Sequence, residues 1–471
     1  MIDGLKPYPD YKDCGLQWLG LIPAHWGDLR AKYLFREVDE RSATGKEELL
    51  SVSHLTGVTP RSQKTITMFL AKSNIGHKVC RPDDVVINTM WAWMGALGVA
   101  RNTGIVSPSY GVYRPLAASA VLARYADYLL RTPVYAAEYQ RRSTGVNSSR
   151  LRLYPEQFLT IPVVVPLRDE QAAIVRFLDA ANVRIEQAIR AKKKLIVLLN
   201  EQKQAIIDRA VTRGLDPFVP LKSPGIPGLD DIPRHWEVVR SGSVFRLFGG
   251  YAFPGTGFFR DESETILPLL LTPVNFDPDG GLRFGGKSTV RFRGYVPEQF
   301  SLRRGDLVTV LTDLSSKRLI LGRAGFIEED GVLLNQRTAR VDIHPSMRSR
   351  LRPDYLCWVL NSSAVRGQTM ATSRGSTVFH TSPTRMLAAR WPLAPIKEQQ
   401  AIIESLKAVE SKHRALCNKL SDEINLLREY RTRLTADVVT GKLDVREAAR
   451  KFEFEKAAQL RDRVKALRIG A

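Results

Sequence analysis

The chain has 471 residues, with 70 Lys and Arg against 49 Asp and Glu, a net charge of +21, and 44% hydrophobic content. That is roughly two to four domains at about 150 residues each, too apolar for a disordered tail. No apolar run approaches the roughly 20 residues of a membrane helix, no basic-then-apolar leader is expected from the opening residues, and Cys14, Cys80, Cys357 and Cys417 form no CxxC pair, which argues against a zinc ribbon or disulfide scaffold and fits a reducing, cytoplasmic setting.

The basic excess runs through the whole chain instead of one tail. A folded protein with an even basic surface suits a polyanion lying across it, nucleic acid first and an anionic membrane second.

Taken in order, the first block carries Leu21-Ile22-Pro23-Ala24-His25-Trp26 near its start. Val85-Val86-Ile87-Asn88 predicts a short strand just after Asp84, and residues 125–139 predict a helix. A polar, basic loop follows that helix. Its Arg141, Arg142, Thr144, Asn147, Ser148 and Arg150 combine phosphate-binding and base-reading residue types. Trp91-Ala92-Trp93 is a weaker candidate to flank DNA, with core packing as the plainer role.

Residues 168–216 predict one long helix. With Gln171 at a, the a positions continue as Leu178, Ile185, Lys192, Leu199 and Ile206, and the d positions as Ile174, Ala181, Ala188 and Leu195. A mostly apolar 3-4 spacing over more than five heptads predicts a coiled-coil seam. Pro166 precedes it and Gly214 stops it. At 1.5 Å per residue such a helix is roughly 60 Å long.

The second block opens on the same signal, Asp231-Ile232-Pro233-Arg234-His235-Trp236. Leu307-Val308-Thr309-Val310-Leu311 predicts a strand after Asp306, and residues 355–370 predict a helix. Two polar stretches offer nucleic-acid contacts: Ser315-Ser316-Lys317-Arg318, with Lys317 and Arg318 as phosphate binders, and Arg374, Ser376, Thr377 and His380 after the helix. A second long helix, 396–445, repeats the first at constant offset. Glu398-Gln399 returns Glu170-Gln171, and Gly441-Lys442-Leu443-Asp444 answers Gly214-Leu215-Asp216. Its seam runs through Ile402, Leu406, Val409, Leu416, Leu420, Leu427 and Leu434, and polar Lys192, His413 and Glu423 are expected to fix register or to sit at a wet end.

The chain is thus written twice, as variable block, fixed-length helix, variable block, fixed-length helix. The expected fold class is α+β, with two α/β blocks alternating with two long helices. Each helix has one apolar seam, so the two are expected to pair as an antiparallel coiled coil, relating the halves by a pseudo-two-fold axis.

This arrangement resembles the specificity subunit of a type I restriction–modification system, over about residues 16–445. The carrying motifs are Ile22-Pro23-Ala24-His25-Trp26 and Ile232-Pro233-Arg234-His235-Trp236, the helix openings Pro166 to Gln171 and Pro395 to Gln399, and the glycine endings. The resemblance implies target-recognition domains at 1–167 and 217–395, each reading half of a bipartite double-stranded DNA site. It implies conserved coiled-coil helices at 168–216 and 396–445 that set the unread gap and dock two modification (methyltransferase) subunits, with restriction (motor and nuclease) subunits completing the complex. It also implies no catalytic residue, cofactor or metal of the chain's own.

The enzyme rival is a self-sufficient nuclease or ATPase acting on DNA. Residues 281–288 match GxxxxGK[ST], but Asp277-Pro278-Asp279-Gly280 precedes the string and Val290-Arg291-Phe292 follows it, a turn and a strand where a P-loop needs a strand and a helix. No Pro-Pro loop is available to hold a flipped adenine. Asp83, Asp84 and Asp330 form no acid-x-Lys nuclease pattern, and the seven His include no HxxxH pair. His25 and His235, each beside Trp, suit a packed corner.

Residues 446–471 run past the repeat and resemble the UVR motif of bacterial excision-repair proteins, with Phe454 to Asp462 as the matching core. That resemblance implies a small helical hairpin and a protein–protein contact, with a repair scaffold as a third reading.

Overall fold

The computed structural model describes residues 5–64, 73–117, 119–145, 151–226, 229–260, 266–286, 289–313, 315, 317–375 and 378–451. The chain divides into two compact units. The first is residues 1–191 with 422–471, and the second is residues 192–421.

The centre of the first unit is an antiparallel sheet in the order Phe35–Glu37, Gly111–Pro115, Val85–Ile87, Leu97–Val99. Val85, Val86 and Ile87 are all buried, so the central strand reads as a continuous β-branched run covered on both faces. Gly27–Arg30 pairs with Pro162–Val165, and Tyr11–Asp13 with Leu21–Pro23. The expected single helix over 125–139 is two, Ala123–Leu130 and Pro133–Arg142. Pro133 cannot continue the first helix but suits the first position of the second, where no donor is needed. Tyr125, Leu129, Tyr135 and Tyr139 fill the core with Trp26, Phe158 and Phe177.

The second unit repeats this strand order. Phe245–Gly249, Thr338–Ile343, Leu307–Val310 and Ala324–Phe326 lie side by side, antiparallel throughout. Glu237–Arg240 pairs with Arg390–Leu393, and Leu221–Lys222 with Ile232–Pro233. The helix expected over 355–370 is again two, Pro353–Asn361 and Ser363–Ala371. Here the break is made by Asn361, whose amide bonds both backbone groups of Ala324 and the Cys357 carbonyl. The extra length of this block lies in further short strands, among them Leu270–Leu271, Ser301–Leu302 and Val332–Leu334, which form a small sheet over their own apolar cluster.

The long helices are Arg168–Arg213 and Ile396–Val439. In the first unit, Ala173, Ile174, Phe177, Leu178 and Ala181 share a core with Leu434, Val438 and Val439. In the second unit, Ile207, Ala210 and Val211 share one with Ile402, Ile403 and Leu406. The buried stripe departs from the expected heptads. It starts at Gln171, Ile174 and Leu178 but moves to Ile189 and then Ile207, leaving the a/d residues Leu195 and Ile206 exposed. Leu416 is exposed for the same reason, while Leu420 and Ile424 are buried. A straight helix drifts about 20° per heptad, so after five heptads the buried face lies one residue later. Among the described residues no helix is long and apolar enough to cross a membrane.

Candidate nucleic-acid interface

The recurring motifs turn out to be a clasp. Gln171 is fully buried at the start of the first long helix. Its amide donates to the carbonyls of Ala120 and Pro166 and its oxygen accepts from Leu122 N at 2.7 Å. Gln399 makes the same three bonds, to the carbonyls of Arg350 and Ala394 and from Arg352 N at 2.9 Å. Leu122 and Arg352 are the residues just before Ala123–Leu130 and Pro353–Asn361. Each glutamine thus ties a long helix to a helix of its own block and satisfies groups that burial would otherwise strand.

The glutamates before them hold the His-Trp corners. Glu170 contacts His25 Nε2 at 2.9 Å and accepts from the Tyr8 hydroxyl at 2.6 Å. Burial and this bond push the Tyr8 phenol far above its ordinary pKa. Glu398 contacts His235 Nε2 at 2.7 Å and accepts from Trp236 Nε1 at 3.0 Å. The corners also receive helix ends. Gly441, at φ +81°, lies so close that a Cβ there would meet Pro23 Cδ at 2.3 Å and Trp26 at 3.0 Å. At Gly214, φ +71°, the nearest atom would be Trp236 Cζ2 at 3.2 Å. Tyr125 donates to the Val439 carbonyl at 3.0 Å, and Tyr355 to the Val211 carbonyl at 3.4 Å. His25 and His235 are therefore corner residues.

With the blocks anchored in this way, the described residues among those singled out for DNA gather at one edge of each unit, Arg141, Arg142 and Thr144 in the first and Lys317, Arg318, Arg374 and His380 in the second. In the first unit the chain leaves Val85–Ile87 into a tight turn, Ala92–Met94, that packs against Pro133–Arg142. Leu153 N donates to the Thr89 carbonyl at 3.0 Å, next to the antiparallel bridge between Thr144 and Arg152. Arg141 and Arg142 stand at the end of Pro133–Arg142, and both grip Glu138, at 2.8 and 2.5 Å. Arg142 also donates to Thr160. Burial works against the Glu138 carboxylate, but the two guanidinium groups hold its pKa below the ordinary range. Thr144 is exposed. Asn147, Ser148 and Arg150 lie outside the described residues. Arg152, over the exposed Tyr154 ring, joins this edge unannounced by the sequence, as do Met90 and Met94.

The second unit builds the same edge from other chemistry. Thr312–Asp313, just after the central strand, pairs with Phe379–His380, which brings Arg318 close to Phe379. Arg374 and His380 form an antiparallel bridge, and Thr312 Oγ1 lies 3.0 Å from His380 Nδ1. Asp313 accepts from Ser315 N and Ile320 N, pinning both ends of the loop. Arg366, almost wholly buried, donates to the carbonyls of Arg318, Leu319 and Leu321, and burial lowers its pKa to about 10. Arg318, at φ +51°, points its guanidinium over Phe379 and donates to the Met370 carbonyl. Lys317 and Arg374 are exposed. Ser376 and Thr377 lie outside the described residues. Sequence reasoning missed Asp313 and Arg366, whose partners are backbone groups that leave no mark in a sequence.

Two of the acids considered for a nuclease, Asp84 and Asp330, have other partners. Asp84 is buried and takes a two-point bond from Arg114, at 2.9 Å each, plus Arg81 N. Asp330 accepts from Arg304 N. Among the described residues, no group of three or more His, Cys, Asp or Glu could hold a metal. Residues 277–280 form a turn before the P-loop-like string and Arg291–Phe292 a strand after it. Lys287 and Ser288 lie outside the described residues.

Two α/β units share one strand order, and each is clasped to a long helix. A solved type I R-M system, described as the structural basis underlying complex assembly and conformational transition, matches 89% of this chain and 98% of its own at a TM-score of 0.61 and 15% identity. The HsdS subunit from Thermoanaerobacter tengcongensis aligns over 89% and 98% at 16% identity, with a TM-score of 0.46. The type I restriction enzyme EcoBI specificity subunit of Escherichia coli is 22% identical over 223 residues, 46% of this chain and 41% of that one, so the chain spans about two fifths of that relative's length. Residues 446–469 match the UvrB/uvrC motif. The chain is therefore similar to type I specificity subunits, with the fold of that R-M structure and a UVR motif at its end. That motif starts on the first unit: Asp444 bonds Arg446, whose guanidinium lies over Tyr8, and Val445 and Ala449 are buried there. Residues 452–471 lie outside the described residues.

Proposed function

We propose that this chain is the DNA sequence-specificity subunit of a cytoplasmic type I restriction–modification complex. It binds a bipartite double-stranded target, positions two modification subunits and the restriction subunits, and performs no catalysis itself. The observation that carries this reading is the edge built twice on one strand order, with the same anchors and different exposed chemistry. One scaffold with two dissimilar faces is what reading two different half-sites requires.

The target-recognition domains are 1–167 and 217–395, the conserved helices 168–216 and 396–445, and the tail 446–471. The long helices pair antiparallel, relating the halves by a pseudo-two-fold axis. Support comes from within each unit, where the beginning of one helix shares a core with the end of the other. Arg141, Arg142, Thr144, Asn147, Ser148 and Arg150 serve the first half-site, and Lys317, Arg318, Arg374, Ser376, Thr377 and His380 the second. Phosphate contacts from the exposed cations supply affinity, and a few base-edge contacts supply choice. The tail contacts a partner subunit.

The test is co-expression with modification subunits, followed by single-molecule sequencing of host DNA for methylated adenine. The expected result is one motif of two short defined blocks around a fixed unread gap. Modification at a continuous short site, or none from an assembled complex, overturns the reading.

A further inference from the structure

The two edges differ in what they offer a base pair. The turn after the first unit's central strand is apolar and outward-facing: Met90 is 39% exposed, Trp91 49% and Met94 36%. Trp91 and Trp93 stack on each other, with centroids 6.2 Å apart and planes within 16°. The turn is held by its own backbone. Trp91 N donates to Asn88 O, Gly95 N to Ala92 O at 2.7 Å, and Ala96 N to the Trp91 carbonyl. The Trp93 indole N–H is spent on the Met90 carbonyl at 3.1 Å. What faces outward is therefore a rigid apolar surface whose ordering cost is met in the free protein. Large exposed apolar groups held rigid mark a contact site. The corresponding loop of the second unit carries Lys317 and Arg318 instead.

Resting on the DNA-recognition reading above, we propose that the Met90–Met94 turn is the specificity element of the first unit and reads thymine 5-methyl groups. The occupant is the major-groove edge of A·T pairs, because the thymine methyl is the apolar group that a base pair presents in that groove. Two features favour a duplex here. The turn packs against the helix that carries Arg141 near its end, a side chain that stays largely exposed while it pairs with Glu138, and Arg152 stands beside the turn at its bridge to Thr144. The second unit uses the matching position for a basic loop. The first head thus selects by apolar contact and the second by hydrogen-bond donors, which favour the acceptors of guanine.

The experiment selects duplexes from a random library with the full chain in its complex, using wild type, Trp91→Ala and Lys317→Ala. Trp91 is half exposed, so its removal leaves the core intact, and unchanged melting checks this. Trp91→Ala is expected to relax one block of the selected motif, a block containing thymine, while Lys317→Ala weakens binding without relaxing that block. Replacing those thymines by deoxyuridine, which removes only the methyl, should weaken wild-type binding by about three- to ten-fold and leave Trp91→Ala binding unchanged. A bipartite motif insensitive to Trp91→Ala, a block without thymine, or tolerance of deoxyuridine overturns the proposal and leaves the two-headed reading standing. Tolerance of deoxyuridine with loss in Trp91→Ala would identify the turn as a wedge between base steps instead. A motif that is not bipartite fails the two-headed reading itself.

Discussion

The two units share their anchors and diverge at their edges. Gln171 and Gln399 make the same three bonds to equivalent backbone atoms, and Tyr125 and Tyr355 reach carbonyls at equivalent places near helix ends. At the edge, a stacked Trp pair in one unit stands where a basic loop stands in the other. Groups that must satisfy buried backbone have one solution, and groups facing solvent have many. The corners fall in between: Glu170 takes the Tyr8 hydroxyl and Glu398 takes the Trp236 indole, so the buried Trp26 indole N–H has no partner among the described residues.

The largest break in the symmetry should come from the glycines. Gly441→Ala places a Cβ within 2.3 Å of Pro23 at a left-handed φ and should cost about 3–4 kcal/mol; Gly214→Ala, with 3.2 Å to Trp236, should cost about 1–2. Denaturant unfolding of the two variants, with hydrogen exchange to assign the unit affected, checks the difference. Equal costs would mean that the corners relax alike.

Gln171→Ala and Gln399→Ala should by contrast cost about the same, roughly 2–3 kcal/mol each, because each strands two carbonyls and one N–H. Amide exchange at Leu122 and Arg352 should rise in the respective variants, and a difference beyond about 1 kcal/mol between them would break the equivalence of the clasps.

Tyr8→Phe should cost about 1–2 kcal/mol by leaving Glu170, which is 5% exposed, short of a donor. Glu398→Gln should cost less, since that carboxylate is far more exposed. Paired melting curves measure both.

The smallest effect is a pH dependence confined to the first edge. Glu138 is held below its ordinary pKa by Arg141 and Arg142 against the cost of burial, so the folded state binds fewer protons there than the unfolded chain. Its contribution is full above the unfolded value, about 4.3, and is lost as pH falls through the lower folded value. Glu138→Gln should therefore flatten the acid limb of the stability profile below about pH 4. An unchanged acid limb would show that the pair contributes nothing to folding.

Much of the architecture was legible because repetition is a strong signal. Glu170-Gln171 and Glu398-Gln399, the His-Trp pairs and the terminal glycines all flagged positions with a fixed structural duty. What the duty was stayed hidden, since the partners of Gln171 are main-chain atoms of Ala120, Leu122 and Pro166. The heptad count named Leu195, Ile206 and Leu416 as seam residues, and all three are exposed. A strict seven-residue repeat drifts from a straight helix, and no sequence marks where the buried face slips. At the edges, Arg141 and Arg142 read as phosphate binders, and their pairing with Glu138, three and four residues earlier, went unremarked. The Trp91–Trp93 pair was in view too, but whether an aromatic pair faces core or solvent is decided by the fold.

Arg366 has one more consequence. It holds the 318–321 stretch by gripping carbonyl oxygens of Arg318, Leu319 and Leu321, atoms that all amino acids possess. The clamp is therefore blind to side chains. The exposed Leu319 can be rewritten without loosening the grip, a replaceable position in a fixed frame.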